Sequence, residues 1–215
     1  MTAEPLSDHG ASTHLLAPHW REWALSAERD TPAGWKQMVT TLASLQDAVA
    51  ATIPPVDAVA EATELMARAE RILHAHPVSA DHQLFGRHLA DPNRGQTFSP
   101  PLWIEDYREG ELSASTRFGR FHSGSGGVVH GGAIALLFDD VLGRTSDLAI
   151  SERSRTVSLT IDYRSLTPLE KNLEVRARLV RHEGRKRWVS GWLWDGDRLC
   201  AEANALFVEL HPHQQ

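Results

Sequence analysis

Two hydrophobic rhythms divide the chain. From Trp35 to Leu73, apolar residues recur at steps of three and four, the period of a helix with one dry face. Trp35, Met38, Leu42, Leu45 and Val49 form one stripe, introduced by Thr31-Pro32, a capping residue followed by proline at the first helical position. Ile53-Pro54-Pro55 ends that helix, because the residue before a proline is pushed out of the helical region. Asp57 offers a second cap, and Val59, Ala62, Met66, Ala69 and Leu73 carry the next stripe as far as Pro77. The pattern predicts an N-terminal extension over residues 19–76, built of two antiparallel or angled helices. Residues 1–18, polar and broken by Pro5, Gly10 and Pro18, predict a flexible tail. Residues 77–100, rich in His, Pro, Gly and Asp, predict an irregular linker.

Beyond residue 100 the period falls to two. Strands are expected near 102–107 and 112–119. Val157, Leu159, Ile161 and Tyr163 alternate with Ser158, Thr160 and Asp162. Leu173, Val175, Ala177 and Leu179 alternate with Glu174, Arg176 and Arg178. Residues 186–194 and 198–210 flank Asp195-Gly196-Asp197, a strong hairpin signal. One amphipathic helix interrupts these strands over 131–146, with Ile134, Leu137, Phe138, Val141 and Leu142 on its dry face. An antiparallel meander with one dry face wraps such a helix. The expectation is an α+β fold of the hotdog layout over residues 101–210. Trp188, Trp192 and Trp194 share one parity of their strand and Val189 and Leu193 the other, so both faces of that strand need cover. The central helix can cover one face. The N-terminal helices are the candidates for the other, with the lining of a ligand tunnel as the alternative.

The chemistry concentrates where the helix starts. A turn, Ser123-Gly124-Ser125-Gly126-Gly127, leads through Val128-Val129 into His130-Gly131-Gly132. Free backbone N–H groups at a helix start welcome negative charge. Asp139, about two and a half turns further on, is a possible base. An oxyanion donor and a carboxylate are the minimum equipment for acyl transfer. Its neighbour Asp140 falls on the opposite edge of the apolar stripe and reads as structural or solvent-facing. The glycines lack the Gly-Lys-Ser/Thr ending of a phosphate loop and the parallel βαβ setting of a dinucleotide site, so they read as turn geometry.

With this layout, residues 100–210 resemble the PaaI-like branch of the hotdog thioesterases, and most of all the THEM-type acyl-coenzyme A thioesterases. The matching text is His130-Gly131-Gly132-Ala133-Ile134-Ala135, Asp139, Thr156 through Tyr163, Glu183-Gly184-Arg185-Lys186 and Ala201-Glu202-Ala203. The resemblance implies hydrolysis of acyl-CoA or a related acyl-carrier thioester, with coenzyme A entering as part of the substrate and no separate cofactor. It assigns Asp139 as general base or nucleophile, the Gly131 N–H as oxyanion donor and Thr156 as the hydroxyl that positions water and carboxylate. His130 would shape the turn or touch the thioester carbonyl, with Gly132 beside the substrate. It also implies a homodimer or a dimer of dimers, in which two protomers share each site. Leu166 stands where relatives usually have proline, and the turn before His130 lacks their prolines and asparagine.

Arg185, Lys186 and Arg187, with Arg181, cluster at a strand turn. Such a cluster suits the phosphates of coenzyme A as well as a solvated hairpin tip. A non-catalytic acyl-binding or interaction module, and a hydratase acting on enoyl-CoA, are the competing readings. The formal net charge of −6 argues against a nucleic-acid binder. No apolar run approaches the roughly 20 residues of a membrane span. The 12 histidines show no metal-ligand spacing. Met1 to Asp8 has neither the basic start nor the apolar core of a secretory signal, and Cys200 is the single cysteine, so a cytoplasmic setting is expected.

Overall fold

In a computed structural model, which describes residues 16–89, 91–150 and 152–211, a six-stranded sheet curls around one long helix. The strands are β1 (Leu102–Arg108), β2 (Glu111–Thr116), β3 (Ser154–Tyr163), β4 (Leu173–Glu183), β5 (Lys186–Asp195) and β6 (Arg198–Glu209). They pair in the order β1-β2-β4-β5-β6-β3, every pair antiparallel. Three helices precede the sheet: α1 (Pro18–Asp30), α2 (Trp35–Ala51) and α3 (Val56–His74). The central helix, α4 (Gly131–Ala149), enters between β2 and β3. This is the hotdog fold with an N-terminal helical extension, as the periodicities require.

The dry stripe of α4 meets the alternating residues of the sheet. Ile134, Leu137, Phe138, Val141 and Leu142 pack with Val175, Val189, Leu193 and Phe207 in the main core. The close seat of the helix depends on a row of small residues. Gly191 of β5 lies opposite Ala177 of β4 and Ala203 of β6. A Cβ on Gly191 would meet Leu142 Cδ2 at 2.7 Å and Phe138 Cε1 at 3.3 Å. Gly191→Ala is therefore expected to overpack the core and to cost about 1–3 kcal/mol, read as a lower urea midpoint at an unchanged slope.

Among the described residues the extension holds three helices rather than two. The extra one is α1, whose Pro18 sits in the first helical turn instead of breaking the chain. Its inner face is a mix of Trp20, Trp23, Ala24 and Ala27, a stripe of two large and two small residues. The remainder of the expected tail, residues 1–15, lies outside the described residues. Helix α2 begins at Trp35 on a left-handed Gly34, later than Thr31-Pro32 announced. The segment between α3 and β1 is well anchored: Arg87 Nη2 donates to the Trp23 carbonyl at 3.1 Å and to Ser26 Oγ at 2.6 Å.

The extension does not cover the tryptophan face of β5. Helix α1 docks on α4 through Trp20, whose Nε1 donates to Asp147 Oδ2 at 2.6 Å. Helix α2 docks on the turn Arg120–His122, where Asp47 Oδ1 accepts the Phe121 N–H at 2.8 Å. Arg178 and Arg181 lie over Trp192 and Trp188 instead, 6.0 and 4.4 Å from the ring centroids. Long cationic stems can shelter aromatic surface while keeping their heads in water, so the face needs no helix.

Candidate active site

The site is set by the way β3 runs beside α4. At one end Thr156 Oγ1 donates to Asp139 Oδ1 at 2.9 Å. At the other, Tyr163 Oη donates to the Gly131 carbonyl at 3.0 Å. Strict alternation would put Thr156 on the opposite face of β3 from Leu159, Ile161 and Tyr163. A bulge resolves this: Thr156 pairs with Phe207 and Ser158 with Leu206, leaving Val157 unpaired and 61% exposed. The extra residue turns Thr156 toward α4 and onto the carboxylate. Leu159 and Ile161 stay against the core.

The start of α4 is built by its own cap. His130 Nδ1 accepts the Gly132 N–H at 2.9 Å, and the His130 carbonyl accepts the Ala133 N–H at 2.9 Å. Gly132, expected at the substrate, thus has its backbone donor committed to the cap. The Gly131 N–H, at the first helical position, has no intrahelical acceptor and lies at the positive end of the helix dipole. A Cβ on Gly131 would lie 3.2 Å from Tyr163 Oη, so a side chain there would press on the tyrosine. Tyr163 was legible only as a strand residue.

The turn behind His130 is held from the N-terminal extension. The His130 N–H donates to the His122 carbonyl at 2.8 Å. His122 stacks edge-on against Phe118 and Phe121, and both of its ring nitrogens are buried without a hydrogen-bond partner among the described residues. Burial pushes the His122 imidazole below its ordinary range, and the nearby Asp47 carboxylate offsets this only in part. The unfolded chain therefore binds a proton that the folded chain refuses. Stability is expected to rise with pH up to about 6.5, the unfolded value, and to fall as pH drops toward the folded one. Urea titrations between about pH 5 and 8 check this, with the slope removed in His122→Asn.

Asp139 and Asp140 divide as the helix wheel implied. Asp139 is exposed on this chain. Asp140 is buried, and its Oδ1 takes Arg94 Nη1 at 2.7 Å and Arg144 Nε at 3.2 Å. Burial alone would raise the Asp140 carboxyl, but the two guanidiniums outweigh it and hold it below the usual carboxylate range.

The basic cluster at the β4–β5 turn separates into two kinds of residue. The sheet register aligns Arg187 with Phe207, and Phe207 with Thr156, so this turn lies at the Asp139 end of the sheet. Arg185 and Lys186 are exposed there. Arg185 spends two nitrogens on the Glu209 carbonyl, at 3.1 and 2.8 Å. Arg187, expected among the phosphate contacts, is 0% exposed. Its Nη1 donates to the Glu152 carbonyl at 2.9 Å and the Ile150 carbonyl at 3.3 Å, and lies 3.6 Å from Asp147 Oδ1. A cation at the negative end of α4 is well placed for the helix and unavailable to a ligand. Arg187 leaves the candidate substrate set.

A cavity of about 240 Å³ opens beside Asp139 and Thr156, between α4, the start of β3 and α1. The tryptophans of β5 do not line it; Trp192 and Trp194 instead border a separate hollow of about 540 Å³ on the outer face of β2, β4 and β5.

The fold and this arrangement define a hotdog domain with a carboxylate–hydroxyl pair beside a His-Gly-Gly helix start. Residues 126–202 match the family model of the thioesterase superfamily. Acyl-coenzyme A thioesterase THEM4 of Mus musculus is 41% identical over 91 residues, covering 41% of this chain and 38% of the relative. Its Xenopus laevis counterpart is 32% identical over 96 residues, covering 44% and 43%. The chain thus spans about two fifths of the length of these curated relatives. A solved thioesterase superfamily protein superposes with a TM-score of 0.70 at 24% identity, covering 83% of this chain and 92% of that one. That likeness extends beyond the matched domain and shows the fold. The resemblance to THEM-type thioesterases holds for the domain that carries the site. Among the described residues no helix is long and apolar enough to cross a membrane.

Proposed function

We propose that this chain hydrolyses acyl-CoA to a free acid and a thiol, working as at least a homodimer. The observation that carries the reading is the 2.9 Å bond from Thr156 to Asp139, which orients an open carboxylate at the mouth of a cavity. In this reading Asp139 activates water or attacks the thioester carbon directly, while the Gly131 N–H receives the developing oxyanion. The thiolate leaves readily, so no strong general acid is demanded. Arg185 and Lys186 are the remaining candidates for the phosphates of coenzyme A. The names of the relatives support the substrate class.

One chain cannot assemble this site alone. Gly131 and Asp139 are eight residues apart on one helix, about 12 Å along its axis. A carbonyl held by a donor at about 3 Å cannot also lie within attack distance of a carboxylate that far away. The edge strand β3 offers the remedy. It presents an unpaired backbone edge and a largely exposed face, the features by which strands pair with a second chain. Antiparallel pairing of two β3 strands brings the Tyr163–Gly131 end of one copy against the Thr156–Asp139 end of the other. Two equivalent sites result, each with its base and its oxyanion donor from different copies.

Thiol release from a panel of acyl-CoAs tests the activity, and sedimentation equilibrium tests the dimer. Thr156→Val should lower turnover about 10- to 100-fold through loss of a hydrogen bond to a charged group, with the dimer intact. Acyl-CoA binding with no turnover across the panel would favour the non-catalytic module.

A further inference from the structure

The cavity beside Asp139 has a second end, and its walls come from outside the thioesterase domain. Leu16, Ala17 and Trp20 of the extension and Leu89 of the linker form its outer side. Leu148 of α4 and Phe207 of β6 face them. The wall is fixed in place: Trp20 is held by its bond to Asp147, and Asp147 Oδ1 accepts Ser154 Oγ at 2.8 Å. Its 240 Å³ would hold about eight waters at ~30 Å³ each, the size of a compact acyl group.

Arg94, Asp140 and Arg144 line the same cavity. Two guanidiniums share one carboxylate oxygen, so the trio carries one positive charge in excess. Arg144 spends Nε on Asp140 and Nη1 on the Leu89 carbonyl, at 3.3 Å. Its Nη2 is buried and has no partner among the described residues. A charged donor left unpaired away from water is costly, and a ligand that supplies an acceptor removes the cost. The acceptor best matched to an excess guanidinium is a carboxylate. Asp139 repels a second anion at the mouth, whereas Arg144 lies five residues further on, about 7.5 Å along α4.

We infer that the cavity receives acyl groups that end in a carboxylate, with the thioester at Asp139 and the far carboxylate against the Arg144 guanidinium. The substrate class is the mono-CoA thioester of a dicarboxylic acid, with a chain of about five or six carbons spanning the two ends. Trp20, Leu89 and Phe207 enclose the methylenes between. This inference rests on the thioesterase reading of the site and adds its substrate class.

The test is thiol release by the full chain from glutaryl-CoA and adipyl-CoA against pentanoyl-CoA and hexanoyl-CoA. The carboxylated pair should be favoured at least about 10-fold in kcat/KM, and Arg144→Gln should collapse that ratio to about 2 or less. Because Arg144 also braces Asp140, the wild-type protein provides a second measurement that needs no variant. Free adipate should inhibit competitively, hexanoate should not, and added salt should weaken the inhibition. Equal or better turnover of the uncharged pair would overturn the inference and leave the thioesterase standing. Should no acyl-CoA turn over, the activity itself fails; calorimetry with adipate then decides the cavity, and absence of binding overturns this assignment too.

Discussion

Asp139→Asn should reduce thioester hydrolysis by about 10²- to 10⁴-fold while leaving the urea midpoint of the protein unchanged. Both halves of that expectation come from the geometry. The substituted amide keeps an oxygen at Oδ1, so the Thr156 hydroxyl still has an acceptor and the bulge at Val157 keeps its purpose. The side chain is exposed on one chain, so no buried charge is lost on substitution. What disappears is the ability to take a proton or to attack carbon. The residual rate measures what the helix-terminal N–H and substrate positioning achieve without a base. Thiol release alongside urea denaturation separates the two effects. A variant with wild-type turnover would exclude Asp139 as base and as nucleophile, and a variant that fails to fold would contradict the exposed position.

The pattern of the sequence reached further into the fold than into the site. Strands, hairpin and central helix were legible because their apolar periods differ and because each buries one face only. The helix α1 escaped because half of its stripe is alanine, and because Pro18 acts as a helix starter as readily as a breaker. Thr156 was placed by resemblance, whereas alternation alone would have turned it away from α4; a single bulge, invisible to periodicity, reverses its face. His130 read equally well as a substrate contact and as a shaper of the turn, and the bond it accepts from the Gly132 N–H makes it the helix cap. The cavity joins residues of five separate segments, from Leu16 to Phe207, and no local pattern announces such a meeting.

Arg187 separates a reading by charge from a reading by burial most sharply, and Arg187→Met carries the largest stability effect expected in the molecule. As a member of a phosphate clamp, Arg187 could be replaced with a rise in KM and little else. Its actual position is the floor between β5 and the end of α4. There it neutralises Asp147 and satisfies the last carbonyls of the helix and of the segment that follows. Methionine fills much of the volume but supplies no charge and no donor. Asp147 would keep Trp20 Nε1 and Ser154 Oγ but lose its buried cation. The carbonyls of Ile150 and Glu152 would lose a donor as well. Removing one partner of a buried ion pair costs about 3–5 kcal/mol, a large share of the ~5–15 kcal/mol that holds a domain folded. Urea denaturation should show that loss. The KM of whatever fraction remains folded should stay within about twofold of the parent, because Arg187 never reaches the ligand. A stable variant with a raised KM would return Arg187 to the substrate and require the end of α4 to open.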